Sequence, residues 1–348
     1  MNKKMYKAAG YILVCIMLVG CQKSSGITRF SIQYLDLFDT VTEFVGYAGS
    51  QEEFSNQTKV LYEELKKYHQ FYDIYNDYEN INTLKTINDN AGIAPVKVDK
   101  KIIDLLLLGK EMYEKTNGTV NIAFGSVLSI WHDYRTQGLD DPEHAKLPPM
   151  DKLIKAGKHV DITKVKIDEK ASTVYLEDKD MSLDVGAIGK GYAVEKISEE
   201  AARQGMDHLL ISVGGNIEAL GTKGDGSSWI LGIQNPDLTS DQAYVYKIKA
   251  KNQSLVTSGN YQRYYLVDGT VYHHIINPET LMPSTYFTAV SVLNKQSGVA
   301  DALSTALYNM PYEEGFSLIE SLPDTEAMWI YEDGKFAFSS GFKEYIAE

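Results

Sequence analysis

Apolar positions along the chain keep one period for a stretch and then switch to another. Residues 30–37 and 41–47 alternate apolar and polar side chains, which predicts two strands paired around Phe38-Asp39-Thr40. Leu61, Leu65, Tyr68 and Tyr72 then recur at intervals of three and four, as does a second apolar set over 102–112. Each segment therefore lays one helical face on a core. The second helix is expected to stop at Asn117-Gly118, and the intervening 75–90 is polar and irregular. From 165 onward short strands alternate with helices. Strands are expected at 165–167, 172–175, 181–183 and 208–213, the last running into Gly214-Gly215. Hairpin-like segments follow at 229–234, 244–248, 261–267 and 271–276, with Asp268-Gly269 as a turn. Helices are expected over 189–205, with Val194, Ile197 and Ala201 on one face, and over 298–310. No repeat or low-complexity tract interrupts this pattern. One compact α+β unit over 29–348, with room for two lobes, is the economical assignment.

The start of the chain follows another logic. Lys3, Lys4 and Lys7 precede an apolar run over 8–20, too short to span a bilayer but of the length found in export signals. Leu18-Val19-Gly20-Cys21 resembles the box at which bacterial lipoprotein precursors are cut and acylated. On that reading 1–20 is a signal peptide that takes Cys15 with it, Cys21 carries the lipid, and 21–28 is a tether. The protein is then anchored on the outer side of the cell membrane through its acyl chains.

Composition narrows the partners. The 348 residues are 44% hydrophobic, enough for a sizeable core without staples. The 47 acidic residues outnumber 34 Lys and Arg, giving a formal net charge of −13, the wrong sign for a nucleic-acid footprint. Cys15 and Cys21, both near the start, exclude a disulfide framework.

Three segments carry residues suited to chemistry. In Ser297-Gly-Val-Ala-Asp301-Ala-Leu-Ser304-Thr305-Ala306, Ser297 can cap a helix on which Asp301 and Thr305, four apart, share a face. A carboxylate and a hydroxyl flanked by small alanines suit a hard divalent cation such as Mg2+, which takes oxygen ligands. Read alone, Asp301 equally suits a residue that only favours the helix dipole. The second segment, Ser182-Leu-Asp184-Val-Gly186-Ala187-Ile-Gly189-Lys190-Gly191-Tyr192-Ala193, sets glycines between a strand end and a helix. There, backbone amides approach a phosphate, or the chain simply turns. Gly191 after Lys190 breaks the Walker spacing, and Val194 stands where a third fingerprint glycine belongs, so both familiar phosphate folds are disfavoured. In the third segment Thr257-Ser258-Gly259 leads through Arg263 to His273-His274-Ile275-Ile276-Asn277-Pro278. A histidine at a strand end serves as a general base or as an ordinary packing residue. Zinc is not expected, because adjacent strand residues point to opposite faces.

Taken in order, these segments resemble the ApbE family, the FAD:protein FMN transferases found as exported lipoproteins or periplasmic proteins. The resemblance covers nearly the whole chain after the tether. Its most specific parts are the stretch 184–193, Ile211-Ser-Val-Gly-Gly-Asn216, Thr257-Ser-Gly259, His274-Ile-Ile-Asn-Pro278 and Asp301-Ala-Leu-Ser-Thr305. Weaker echoes are Phe38-Asp-Thr40, Asp73-Ile-Tyr75 and Asn117-Gly-Thr-Val-Asn121. The resemblance implies an ApbE-like, T-fold-like architecture. It also implies a Mg2+-dependent transfer of FMN from FAD to a threonine of an exported redox protein, with release of AMP. By the same resemblance Asp301, Thr305 and the carbonyl of Ala187 are the metal ligands, and Asp184 and Lys190 contact the flavin nucleotide. Phe38, Tyr75, Thr119, Val120, Asn121 and Ile275 line the FAD site, and His274 is the base. Asn121 and Asn277 stand where the family usually has Asp, and Ser304 where some relatives supply a further acidic ligand; fewer carboxylates leave the number of bound metals open. Two other readings share these residues: a metal-dependent FAD pyrophosphatase and a non-enzymatic flavin- or solute-binding lipoprotein.

Overall fold

The structure, a computed structural model, describes residues 26–347. The signal peptide, Cys21 and most of the tether expected above lie outside them, and Thr28 already belongs to a strand. The centre is an eight-stranded sheet in which every neighbouring pair is antiparallel. In spatial order its strands are Thr28–Leu37, Thr40–Ala48, His208–Val213, Asn216–Gly221, Gln253–Gly259, Ala289–Asn294, Glu326–Ile330 and Phe336–Phe338.

Both faces of this sheet are covered, and the alternation of side chains sorts them. Phe44, Val256, Val290, Val292 and Trp329 face the helices Gln51–Phe71, Gly189–Arg203 and Ser297–Tyr308 and join the main core. Val45, Leu255, Ala289, Leu293 and Met328 face the other way and pack with Trp229, Leu231, Ile233 and Ile248. The latter four come from the two-stranded hairpin Trp229–Gln234 and Tyr244–Ala250. A third cluster joins the helix Gly125–Asp140 to the small hairpin Tyr264–Val267 and Thr270–His273 through Val127, Trp131 and Tyr265.

Local chemistry explains the main element ends. Ser50 accepts a hydrogen bond from Glu53 N (3.1 Å) and starts the Gln51–Phe71 helix. The first hairpin turns at Phe38 and Asp39, both at positive φ (54° and 51°), the backbone that a tight two-residue hairpin loop demands.

Some expectations need correcting. Residues 181–183 form no strand; Ser182 makes only an isolated parallel bridge to Phe124, because a nearby backbone rather than a partner strand satisfies it. The polar stretch 75–90 contains the helix Leu84–Asp89, held by a reciprocal cap between Thr83 and Thr86. Ser297 is not a cap: Gln296 holds that position, and Ser297 lies inside the helix, fully buried, its Oγ without a partner.

Candidate active site

A cleft of about 540 Å³ opens where the ends of Asn216–Gly221 and Gln253–Gly259 meet the first turn of Gly189–Arg203 and the inner face of Ser297–Tyr308. The helix Gly125–Asp140 and the segment around His274 complete its walls. Phe38, Tyr75, Thr119, Val120, Asn121, Asp184, Ala187, Lys190, His274, Ile275, Asp301 and Thr305 all line this one cleft. Residues scattered over most of the chain are thus brought together. Cys21 lies outside the described residues.

The oxygen-rich corner is built by close helix packing. A Cβ at Gly191 would lie 2.3 Å from the Ser297 carbonyl oxygen, so only glycine lets the two helices approach so far. At that contact Gly191 N–H donates to Asp301 Oδ2 at 2.8 Å. The bond turns the Gly191 N–H toward Asp301 rather than toward the Ala187 carbonyl one turn earlier. Asp301 is only 4% exposed. Burial pushes its carboxyl up, while Lys190 and the Gly191 N–H pull it down. The buried amide of Asn216 lies beside it, with Nδ2 making no well-formed hydrogen bond inside the protein. Thr305, one turn on, shares the cleft, and a run of hydroxyls ties it down. Ser258 Oγ lies 3.5 Å from Thr305 Oγ1 and 2.8 Å from Ser304 Oγ, which donates to the Asp301 carbonyl at 2.9 Å. A carboxylate, a hydroxyl and a backbone carbonyl form an all-oxygen set, which fits a hard divalent cation such as Mg2+.

The positions that depart from family wording are occupied with structural work. Asn121 Oδ1 accepts from Ala123 N and its Nδ2 donates to the Val160 carbonyl, both at 2.8 Å. It lines the cleft with its amide already committed. Asn277 is buried, accepts from Glu279 N and Thr280 N, and donates to the Asn309 carbonyl. Ser304 bonds strand to helix as described, away from the cleft lining.

The expected strand over 271–276 ends at His273, so His274 lies just past it; both histidines line the cleft, but their bonds differ. His273 is buried; its Nε2 donates to the Ser284 carbonyl at 2.7 Å and its Nδ1 accepts from Ile275 N at 3.2 Å, so both nitrogens are spent. His274 faces the cleft, with Nδ1 3.1 Å from the Arg263 carbonyl oxygen. A carbonyl only accepts, so Nδ1 carries the proton and Nε2 keeps a lone pair. Burial, with Arg263, Arg135, Lys190 and His273 nearby, pushes the imidazole down to about 3, and it stays neutral at ordinary pH.

Part of the lining was not found from the sequence. Leu128, Trp131, His132 and Arg135 reach the cleft from one face of the Gly125–Asp140 helix. Their intervals of three and four were the available signal, diluted by polar neighbours. His132 stacks on Tyr75 (centroids 4.8 Å apart, 29° between planes), and its Nδ1 accepts from Arg135 Nη2 at 3.2 Å. Arg263 donates to the carbonyls of Phe38 and Asp39 at 3.3 and 3.4 Å, pinning the first hairpin turn to the rim. Asp73 holds the neighbouring loop by accepting from Tyr75 N, Asn76 N and Tyr78 Oη. Arg135, Lys190 and Arg263 line the same cleft as Asp39, Asp73, Asp184 and Asp301, so cations that can meet phosphates stand beside carboxylates, and flat rings stand at its mouth. This combination suits an aromatic dinucleotide whose phosphates need neutralising.

Comparison with known proteins shows the family. A protein of Treponema pallidum named FAD:protein FMN transferase is 34% identical over 279 residues, 76% of this chain and 75% of its own length. One of Klebsiella pneumoniae with the same name is 28% identical over 271 residues, 76% of this chain and 81% of that one. In the fold, the ApbE protein of Thermotoga maritima matches with a TM-score of 0.80 at 24% identity, covering 92% of this chain and 100% of that one. The flavin transferase ApbE of Vibrio cholerae matches with a TM-score of 0.73 at 21% identity, covering 91% and 100%. The model of the ApbE family matches residues 28–329. The chain belongs to the ApbE family.

Proposed function

We propose that this protein transfers FMN from FAD to a threonine hydroxyl of an exported protein and releases AMP. The observation that carries the reading is the single cleft in which Asp301, Lys190 and the unprotonated Nε2 of His274 converge with a set of cations and flat rings. The names of the relatives support the same activity. The acceptor oxygen forms a bond to the phosphorus on the FMN side of the pyrophosphate. The bond from that phosphorus to the bridging oxygen breaks, and AMP leaves with its electrons. His274 Nε2 takes the proton from the acceptor hydroxyl. Arg135 and Lys190 hold the phosphates and offset their charge. Tyr75 and Phe38 pack against the flavin or adenine rings. Asp301, Thr305 and the Ala187 carbonyl would hold Mg2+, which when bound neutralises charge on the pyrophosphate.

The place of work belongs to the same proposal. Cleavage before Cys21 and acylation of its thiol would hold the enzyme on the outer side of the cell membrane, where exported acceptors fold. The test mixes the soluble enzyme with FAD, Mg2+ and the extracytoplasmic protein fraction of its source cells. Wild type should produce a flavin-fluorescent band whose mass has risen by FMN, with AMP formed in equal amount, and Asp301→Ala should produce neither even when Mg2+ is raised. AMP without a labelled protein would mark a pyrophosphatase, and no AMP at all a binding protein.

A further inference from the structure

A second hollow of about 290 Å³ adjoins the cleft on the other face of the sheet, and the reaction proposed above does not use it. Thr257 and Gln262 line both spaces. The two-residue turn between His208–Val213 and Asn216–Gly221 divides its glycines between them, Gly214 on the cleft and Gly215 on the hollow. Both glycines have positive φ (55° and 91°), and a Cβ at Gly215 would meet nothing within 4 Å. On the hollow's side the partition is therefore open at Gly215, while on the cleft side the Thr40 side chain packs against Gly214. Gln262, which lines both spaces, precedes Arg263, whose carbonyl accepts from His274 Nδ1.

Its chemistry contrasts with that of the cleft. Ile217, Leu255, Tyr244 and Tyr261 supply apolar and aromatic surface, and none of the lining side chains carries a charge. Nothing there neutralises a phosphate. Tyr244 lies over Gly232, where a Cβ would sit 2.3 Å from its ring, so the wall of the groove is aromatic rather than backbone.

Resting on the transfer reading, we infer that this groove seats the acceptor protein's own segment beside its threonine, an uncharged stretch of small and apolar residues. Its backbone crosses the Gly214-Gly215 turn and delivers the hydroxyl to His274. A continuous surface running from an uncharged groove to the catalytic base fits a polypeptide, whereas FAD, charged at its centre, fits the cleft. The groove then sets which threonine is modified, and the cleft sets what is transferred.

Ala243 and Gln234 border the groove, are exposed, and take no part in the cleft. Ala243→Trp fills the groove and Gln234→Glu puts a charge in it. With the labelled acceptor from the test above, each variant should transfer FMN at least about tenfold more slowly at low acceptor concentration. The deficit should shrink as acceptor is added, and FAD affinity, read from flavin fluorescence, should match wild type. Transfer at the wild-type rate in both variants would overturn the inference. So would a parallel loss of FAD affinity, which would make the groove part of the nucleotide site. Failure of wild type to label any protein would instead remove the transfer reading itself, and this docking surface with it.

Discussion

His274 is held in one tautomer by a single bond to the Arg263 carbonyl, and that bond leaves a lone pair on Nε2. Replacing it with alanine should slow transfer by about 10²–10⁴ while FAD still binds, since a general base contributes about that much. Equal loss of FAD affinity would make it a binding residue. Its protonation also carries a sign. The folded imidazole is pushed down to about 3, below the ordinary value of about 6.5. Below about pH 6.5 the unfolded chain takes up a proton that the fold refuses, so stability falls as pH drops from there toward 3. Urea unfolding at pH 7 and pH 5 should show a smaller acid loss in His274→Ala than in wild type. Glu218 behaves in the opposite sense. It lies on the helix-facing side of Asn216–Gly221, 6% exposed, with Oε2 unpartnered. Burial, aided by Glu195, pushes its carboxyl up to about 8. The stability it confers is complete below its unfolded value of about 4.3 and is lost as pH rises toward 8. Glu218→Gln should therefore gain about 1–3 kcal/mol over wild type at pH 8 and little at pH 4, as measured by urea unfolding.

At the scale of elements, the site depends on how closely two helices meet. Gly191 faces the Ser297 carbonyl and the Asp301 Cβ at distances that admit no side chain, 2.3 and 2.5 Å from a built Cβ. Gly191→Ala should push Gly189–Arg203 away from Ser297–Tyr308 and break the 2.8 Å bond to Asp301. Overpacking of this kind costs about 1–3 kcal/mol, to be read from urea unfolding. Transfer should fall further than stability accounts for, because the carboxylate moves. Periodicity made the Ser297–Tyr308 helix legible, and with it the shared face of Asp301 and Thr305. It did not expose the Gly125–Asp140 helix, whose polar residues blur the apolar stripe although Val127, Ile130 and Trp131 are buried. It also suggested a strand at 181–183, where extended backbone binds Asn88 and Phe124 instead of a sheet.

At the scale of the whole molecule, an acidic chain with a net charge of −13 brings Arg135, Lys190 and Arg263 into one cleft beside Asp39, Asp73, Asp184 and Asp301. Raising ionic strength should weaken FAD binding there, with Arg135→Ala less sensitive to salt than wild type in flavin-fluorescence titrations. The proposed anchoring at Cys21 makes a separate prediction. If the acylation proposed above holds, Cys21→Ser should move the protein from the membrane to the soluble fraction with unchanged transfer per molecule, because none of the residues lining the cleft lies near Cys21 in sequence. Sequence alone determined the strand and helix periods, the helical face of Asp301 and Thr305, and the motifs that mark the family, since all of these are set by spacing between near neighbours. Only the tertiary structure decided that Asn121 and Asn277 bind backbone, that both nitrogens of His273 are spent while His274 is bonded through Nδ1 only, and that His132 and Arg135 join the site. Those outcomes depend on which distant backbone groups remain unpaired after the helices and sheet have packed, and near-neighbour spacing does not encode that.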